Sequence, residues 1–169
     1  MLMYPLIDYV GVYAPIILFF LTILLLRNKR RYLLFFVYGF ILNNILNVIL
    51  KLAIKEPRPS KDKKAIEIGI VNGARVGFDN FGMPSGHAQN CGYSLIFVTM
   101  VLNDPLITTI YLVISLISLF QRYLYNNHTI LQLIVGLIVG GCFGFLTYIV
   151  STRYIVGNVT MKKDDNAPL

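Results

Sequence analysis

Two histidines, His87 and His128, and three basic residues, Lys51, Arg58 and Arg122, fall in a pattern that suits phosphate chemistry. Six residues separate Lys51 from Arg58, which is followed by Pro59, and five separate Arg122 from His128. Between these pairs stands Pro84-Ser85-Gly86-His87. An arginine grips two phosphate oxygens at once, a lysine adds a compact point charge, and both stabilise the charge of a phosphoryl transition state. Imidazole near neutral pH serves as nucleophile or as proton donor. Backbone N–H groups near Ser85 and Gly86, at a helix start, add donors for the same anion, and Gly86 lets the backbone approach closely.

The elements that must position these residues are membrane helices. The chain is 56% hydrophobic and only 14% charged, with a mean hydropathy of +0.67, far more apolar than a soluble domain. Five apolar segments meet the length of a span: 6–26, 32–50, 84–102, 106–123 and 128–149. Runs apolar on all sides for that length need internally satisfied backbone, which predicts helices and excludes a barrel of alternating strands. The fold class expected is therefore all-α, a polytopic bundle of about five transmembrane helices in a single domain over 1–169, with an active-site loop over 55–83 and a tail over 151–169. The first span ends in Arg27, Lys29, Arg30 and Arg31 rather than in a small-residue cleavage site, so it reads as retained.

Arg27–Arg31, Asn103–Pro105 and Leu124–Asn127 are short enough to make their flanking helices antiparallel neighbours, whereas 55–83 must fold over one membrane face. Counting crossings places the start of the chain, the long loop and the 124–127 turn on one side, together with all five residues named above. The dense charge at 27–31, helped by Arg153, Lys162 and Lys163, argues that the opposite side is cytoplasmic. The net charge of +7 lies mostly at such membrane edges, so nucleic acid is not an expected partner. Cys91 and Cys142 sit in apolar segments without metal-ligand spacing and read as packing residues.

Taken together, the three clusters resemble the tripartite signature of the type 2 phosphatidic acid phosphatase superfamily, in order, internal spacing and membrane placement. The resemblance implies an integral membrane lipid phosphatase in which His128 attacks phosphorus to form a phosphohistidine and His87 is general acid and then base. It implies that Lys51, Arg58, Arg122, Ser85 and Gly86 hold the phosphate, with neither metal nor cofactor. Two positions depart from the signature: Gln132 stands four residues after the nucleophile where Asp is usual, and Gln121 where serine commonly precedes the arginine. On a helix, Gln132 lies over the same face as His128 and can offer its amide oxygen to one ring nitrogen.

The stretches Glu56-Pro57-Arg58-Pro59, Phe81 to Gln89, and His128-Thr129-Ile130-Leu131-Gln132 with Gly136 following look like the dolichyl diphosphatase branch. That resemblance implies cleavage of a polyprenyl diphosphate to the monophosphate on a luminal, non-cytoplasmic face. Phosphatidic acid or another lipid phosphate is the alternative substrate. A catalytically silent phospholipid-binding membrane protein is the alternative class, motivated by Gln132 and Gln121.

Singly, each of these residues has a plainer reading. Lys51 would be a snorkelling lysine, Arg58 a solvated loop charge, Ser85 a helix cap, and Arg122 and His128 interfacial anchors. Their conjunction carries the argument. Asn43 and Asn47 share a helical face with Lys51 and suit interhelical hydrogen bonds, and Gly136, Gly140 and Gly144 form a stripe for close packing. The sequons at Asn127 and Asn158 are expected to be unused. Lys61, Lys63 and Lys64 form a solvated run able to attract anionic headgroups.

Overall fold

Each predicted span corresponds to a helix. The computed structural model describes residues 5–59, 70–71, 74–75 and 77–154. Lys61, Lys63 and Lys64, the Asn158 sequon, and Lys162 and Lys163 lie outside the described residues. Helix α1 spans Pro5–Leu25, α2 Arg30–Ile54, α3 Gly86–Leu102, α4 Pro105–Leu124 and α5 Ile130–Tyr154. In the long loop, Ile70–Val71 (β1) and Ala74–Arg75 (β2) form a two-stranded antiparallel ladder, followed by a 3₁₀ turn at Gly77–Asn80.

The turns follow from local chemistry. Asn103 closes α3 in the left-handed conformation, with φ of 48°, a geometry asparagine tolerates. Asp104 then caps α4 by accepting from the N–H groups of Leu106 and Ile107, at 2.8 and 3.0 Å, and Pro105 occupies the first helical position. Within α1, Pro15 has no N–H for the carbonyl of Gly11. The Ser118 hydroxyl of α4 donates to that oxygen at 2.8 Å, joining the two helices where the helical bond is missing.

Four of the five helices among the described residues, α1, α2, α4 and α5, are long and apolar enough to cross a membrane on their own. Helix α3 differs: it is 17 residues long and packs against all four others. Shielded by its neighbours, it can carry polar side chains that a lipid-facing helix could not. Helix α2 shows the same inversion on one surface. Ile41, Leu42, Ile45, Ile49 and Leu52 are exposed, while Asn43, Asn47 and Lys51 are buried. Outward apolar and inward polar residues are the arrangement a bilayer requires.

Amides join α2 to α3. Asn47 donates to Gln89 Oε1 at 2.8 Å and to the Pro84 carbonyl at 3.2 Å. Gln89 donates to Asn43 Oδ1 at 2.9 Å, Asn43 to Asn90 at 2.8 Å, and Asn90 to Asn44 at 2.9 Å. Interhelical amide bonds of this kind contribute about 0.6–2 kcal/mol each, and here they set the height of α3 beside α2.

Helix α5 meets α3 through its glycine stripe. A Cβ at Gly136 would come within 2.6 Å of the Ser85 carbonyl and one at Gly144 within 2.6 Å of the Tyr93 carbonyl, while one at Gly140 would overlap the Gln89 carbonyl. From α3, Gly92 makes the reciprocal approach to the Leu137 carbonyl. Below the polar layer, Phe36, Tyr93 and Phe97 form the buried aromatic centre. Cys91 is buried as expected, but Cys142 is exposed, because α5 turns that position away from the bundle.

The crossings agree with the topology read from the turns. At one end the Tyr125 hydroxyl, after α4, donates to Asp8 Oδ2 in the first turn of α1 at 2.8 Å. At the other end Thr99 of α3 meets Thr108 of α4 at 3.1 Å.

Candidate active site

The end that gathers the start of α1, the end of α2, the starts of α3 and α5 and the end of α4 also gathers the residues marked by type and spacing. Helix α5 begins at Ile130 rather than at His128, because Thr129 takes the capping position. The Thr129 hydroxyl accepts from the Gln132 N–H at 3.2 Å, and Gln132 Oε1 accepts from the Thr129 N–H at 3.2 Å, a reciprocal capping box. His128 stands in the turn just before it, 3% exposed.

The two ring nitrogens of His128 have opposite surroundings. Nδ1 faces two oxygens, the Gly82 carbonyl at 3.0 Å and Gln132 Oε1 at 3.3 Å. Both are acceptors, so Nδ1 carries the proton and Nε2 the lone pair. Nε2 accepts from Arg58 Nη1 at 3.0 Å. Burial first, then the charges of Arg58, Lys51, His87 and Arg122, push the ring's pKa well below its ordinary value of 6.5. The ring is therefore neutral across the neutral range.

Arg58 lies in the 55–83 loop rather than on a helix. Helix α2 stops at Ile54, and Arg58 lies beyond it, on a segment held by a bridge between Pro57 and Phe81. Its guanidinium also donates to the Asn127 carbonyl at 2.9 Å, to the Asp79 carbonyl at 2.8 Å, and to Asp79 Oδ1 at 2.7 Å. Lys51, on the last turn of α2, is buried rather than snorkelling. Its Nζ lies 3.5 Å from the same Asp79 oxygen and over the Phe78 ring at 5.9 Å. Asp79 was not anticipated: it lies in the short 3₁₀ turn of the long loop, and nothing in its spacing marks it as the carboxylate that both cations share.

Arg122, 1% exposed, lies in the last turn of α4, and its Nε donates to Gln121 Oε1 at 2.7 Å. That bond gives Gln121 a place in the site where its type departs from the signature. His87, in the first turn of α3, donates from Nε2 to the Val12 carbonyl of α1 at 2.9 Å. Its Nδ1 is then the nitrogen left to exchange a proton.

Ser85 departs from its expected role in part. Its backbone N–H donates to the Gln132 carbonyl at 3.1 Å, so this group ties α3 to α5 rather than addressing an anion. Its hydroxyl caps α3 by accepting from Ala88 N–H. Gly86 follows, with Asn47 Oδ1 3.3 Å from where its Cβ would lie. The first-turn N–H groups of a helix have no helical acceptor and carry the positive end of its dipole. Among the described residues, no group of three His, Cys, Asp or Glu side chains stands where it could hold a metal ion.

Among the described residues, five helices form a membrane bundle that gathers two imidazoles and three cations at one end. The match to the family model of the PAP2 superfamily covers residues 32–155, and the chain belongs to that superfamily, whose members are phosphatases. Neither curated proteins nor solved structures return a match. Helix α1 lies outside the matched stretch, yet it supplies the carbonyl that holds His87 and the carboxylate that meets Tyr125.

Proposed function

We propose that the chain is a lipid phosphatase working through a phosphohistidine at His128, with a polyprenyl diphosphate as substrate and the monophosphate as product. The observation that carries this reading is the setting of the His128 ring, with two oxygens at Nδ1 and the lone pair of Nε2 facing Arg58. In the reaction, Arg58, Lys51, Arg122 and the first turn of α3 at Gly86 hold the phosphoryl oxygens. The Nε2 lone pair attacks phosphorus as the bond to the leaving oxygen breaks, and His87 gives that oxygen a proton. Water then attacks the phosphoenzyme, His87 takes its proton, and the Nε2–P bond breaks to release phosphate.

The Glu56-Pro57-Arg58-Pro59 and His128-Thr129-x-x-Gln132 patterns favour the diphosphate over phosphatidic acid. The basic cluster at 27–31, at the opposite end of the bundle, favours a non-cytoplasmic face for the site. The test is phosphate release by the purified protein in chelator, over dolichyl diphosphate, farnesyl diphosphate and phosphatidic acid, for wild type and His128→Ala. Release by wild type alone, fastest on a diphosphate, is expected. Equal release by both proteins would remove the nucleophile, and no release from any lipid would leave a silent phospholipid-binding protein.

A further inference from the structure

We propose that Glu56 is a positioning residue for the nucleophile, holding the Gln132 amide in the one orientation that keeps the His128 lone pair on Nε2. The inference rests on the reading of His128 as nucleophile.

A primary amide is nearly symmetric in shape, and a half-turn exchanges its acceptor oxygen for its donor NH₂. In the superfamily's signature the residue at position 132 is a carboxylate, which accepts through either oxygen and has no wrong orientation. With Gln132 the orientation must be imposed. If the NH₂ faced the ring, it would compete with the Gly82 carbonyl for Nδ1 and favour the tautomer with the proton on Nε2, in which the lone pair needed for attack is lost.

The oxygen end of the amide faces His128 Nδ1 at 3.3 Å and the Thr129 N–H at 3.2 Å. The nitrogen end donates to Glu56 Oε1 at 2.7 Å and to the Pro57 carbonyl at 3.0 Å. A carboxylate accepts only, and its bond is the shortest of the four and charge-assisted, so it discriminates most strongly against the flipped amide. Glu56 also stands behind the ring's other partner. Its backbone carbonyl accepts from the Gly82 N–H at 2.7 Å, and the Gly82 carbonyl is the second oxygen at Nδ1. Both oxygens that hold the Nδ1 proton are thus backed by one residue, two positions before the arginine that meets Nε2. The negative charge missing at position 132 is supplied from the segment just after α2, one amide further from the ring.

The test compares wild type, Glu56→Ala, Glu56→Gln, Gln132→Leu and the Glu56→Ala/Gln132→Leu double variant, reading kcat and KM for farnesyl diphosphate. ¹⁵N histidine shifts report the His128 tautomer in the same proteins. Glu56→Ala is expected to lower kcat about 10- to 100-fold, the usual cost of losing an outer hydrogen-bond partner, with KM little changed and an Nε2–H tautomer appearing. Glu56→Gln, which can still accept from the amide, is expected to recover most of the rate. In the Gln132→Leu background the Glu56→Ala loss should vanish, since the link is already cut. A Glu56→Ala loss of equal size in both backgrounds, or an unchanged tautomer, would overturn the proposal. If His128→Ala turns over like wild type, the nucleophile assignment fails by itself, while the ¹⁵N shifts still decide whether Glu56 governs the ring.

Discussion

Arg58 Nη1 donates to His128 Nε2 across 3.0 Å, so the guanidinium sits on the lone pair that the proposed reaction uses. An arriving phosphate would take that N–H and free the lone pair in one movement. Arg58→Lys keeps the charge but loses the fork that reaches His128, Asn127 and Asp79 together. Hydrogen bonds to charged groups contribute about 1.5–3 kcal/mol, so kcat/KM should fall roughly 10- to 100-fold. Steady-state kinetics on the best lipid checks this, and a wild-type value would show that the fork does not act on the substrate.

The pH dependence follows from the depressed pKa of His128. The proposed attack requires a neutral ring, which stays neutral until the pH falls below its lowered pKa, so the acid limb of kcat/KM due to this group should lie below pH 6.5. The Lys51 ammonium is one of the charges opposing protonation. Lys51→Met should therefore move the limb upward, toward the ordinary value. A limb that stays in place or moves down would contradict the cause assigned.

Asp79 binds two of the three cations expected to bind phosphate, at 2.7 Å from Arg58 and 3.5 Å from Lys51. Its carboxylate orders them and also offsets their charge. Asp79→Asn should consequently divide the kinetic constants: kcat falls because Arg58 is less well placed, while inorganic phosphate inhibits several-fold more tightly, in line with a gain of about 1 kcal/mol for one nearby charge removed. Weaker phosphate inhibition would mean that ordering, not charge, is what Asp79 supplies to the ground state.

Gly82 has Gln132 Oε1 2.5 Å from where its Cβ would lie. Because the obstacle is the tip of a side chain, the fold can accommodate alanine, but the amide must leave His128. Gly82→Ala should lower kcat about 10- to 100-fold with little shift in melting temperature. A melting temperature that falls in proportion to activity would identify the effect as unfolding.

Gly140 has the opposite character, since its Cβ would meet the backbone carbonyl of Gln89 and neither helix can give way locally. Gly140→Ala should destabilise the protein by about 1–3 kcal/mol, the range for overpacking a close contact. Thermal unfolding in detergent measures it, and an unchanged transition would show that α3 and α5 do not depend on this approach.

Much of the arrangement follows from patterns local in the chain. Span length and hydropathy identify the helices, the Asn103-Asp104-Pro105 turn is written in its own capping residues, and crossing parity puts Lys51, Arg58, His87, Arg122 and His128 at one end. The glycine stripe from Gly136 to Gly144 announces close packing because a four-residue step keeps one helical face. These features are legible because each depends on neighbours in sequence.

What needed the tertiary structure is the pairing across that end. Asp79 and Glu56 are ordinary loop acids by composition. Their parts appear only in the folded protein, where one lies against Lys51 and Arg58 and the other against Gln132. Nor does any local pattern in α1 disclose that Val12 offers its carbonyl to His87 across 75 positions of chain. Helix identity is set by each segment's own solvation in lipid, whereas the protonation and aim of two imidazoles depend on hydrogen bonds whose partners are chosen by packing.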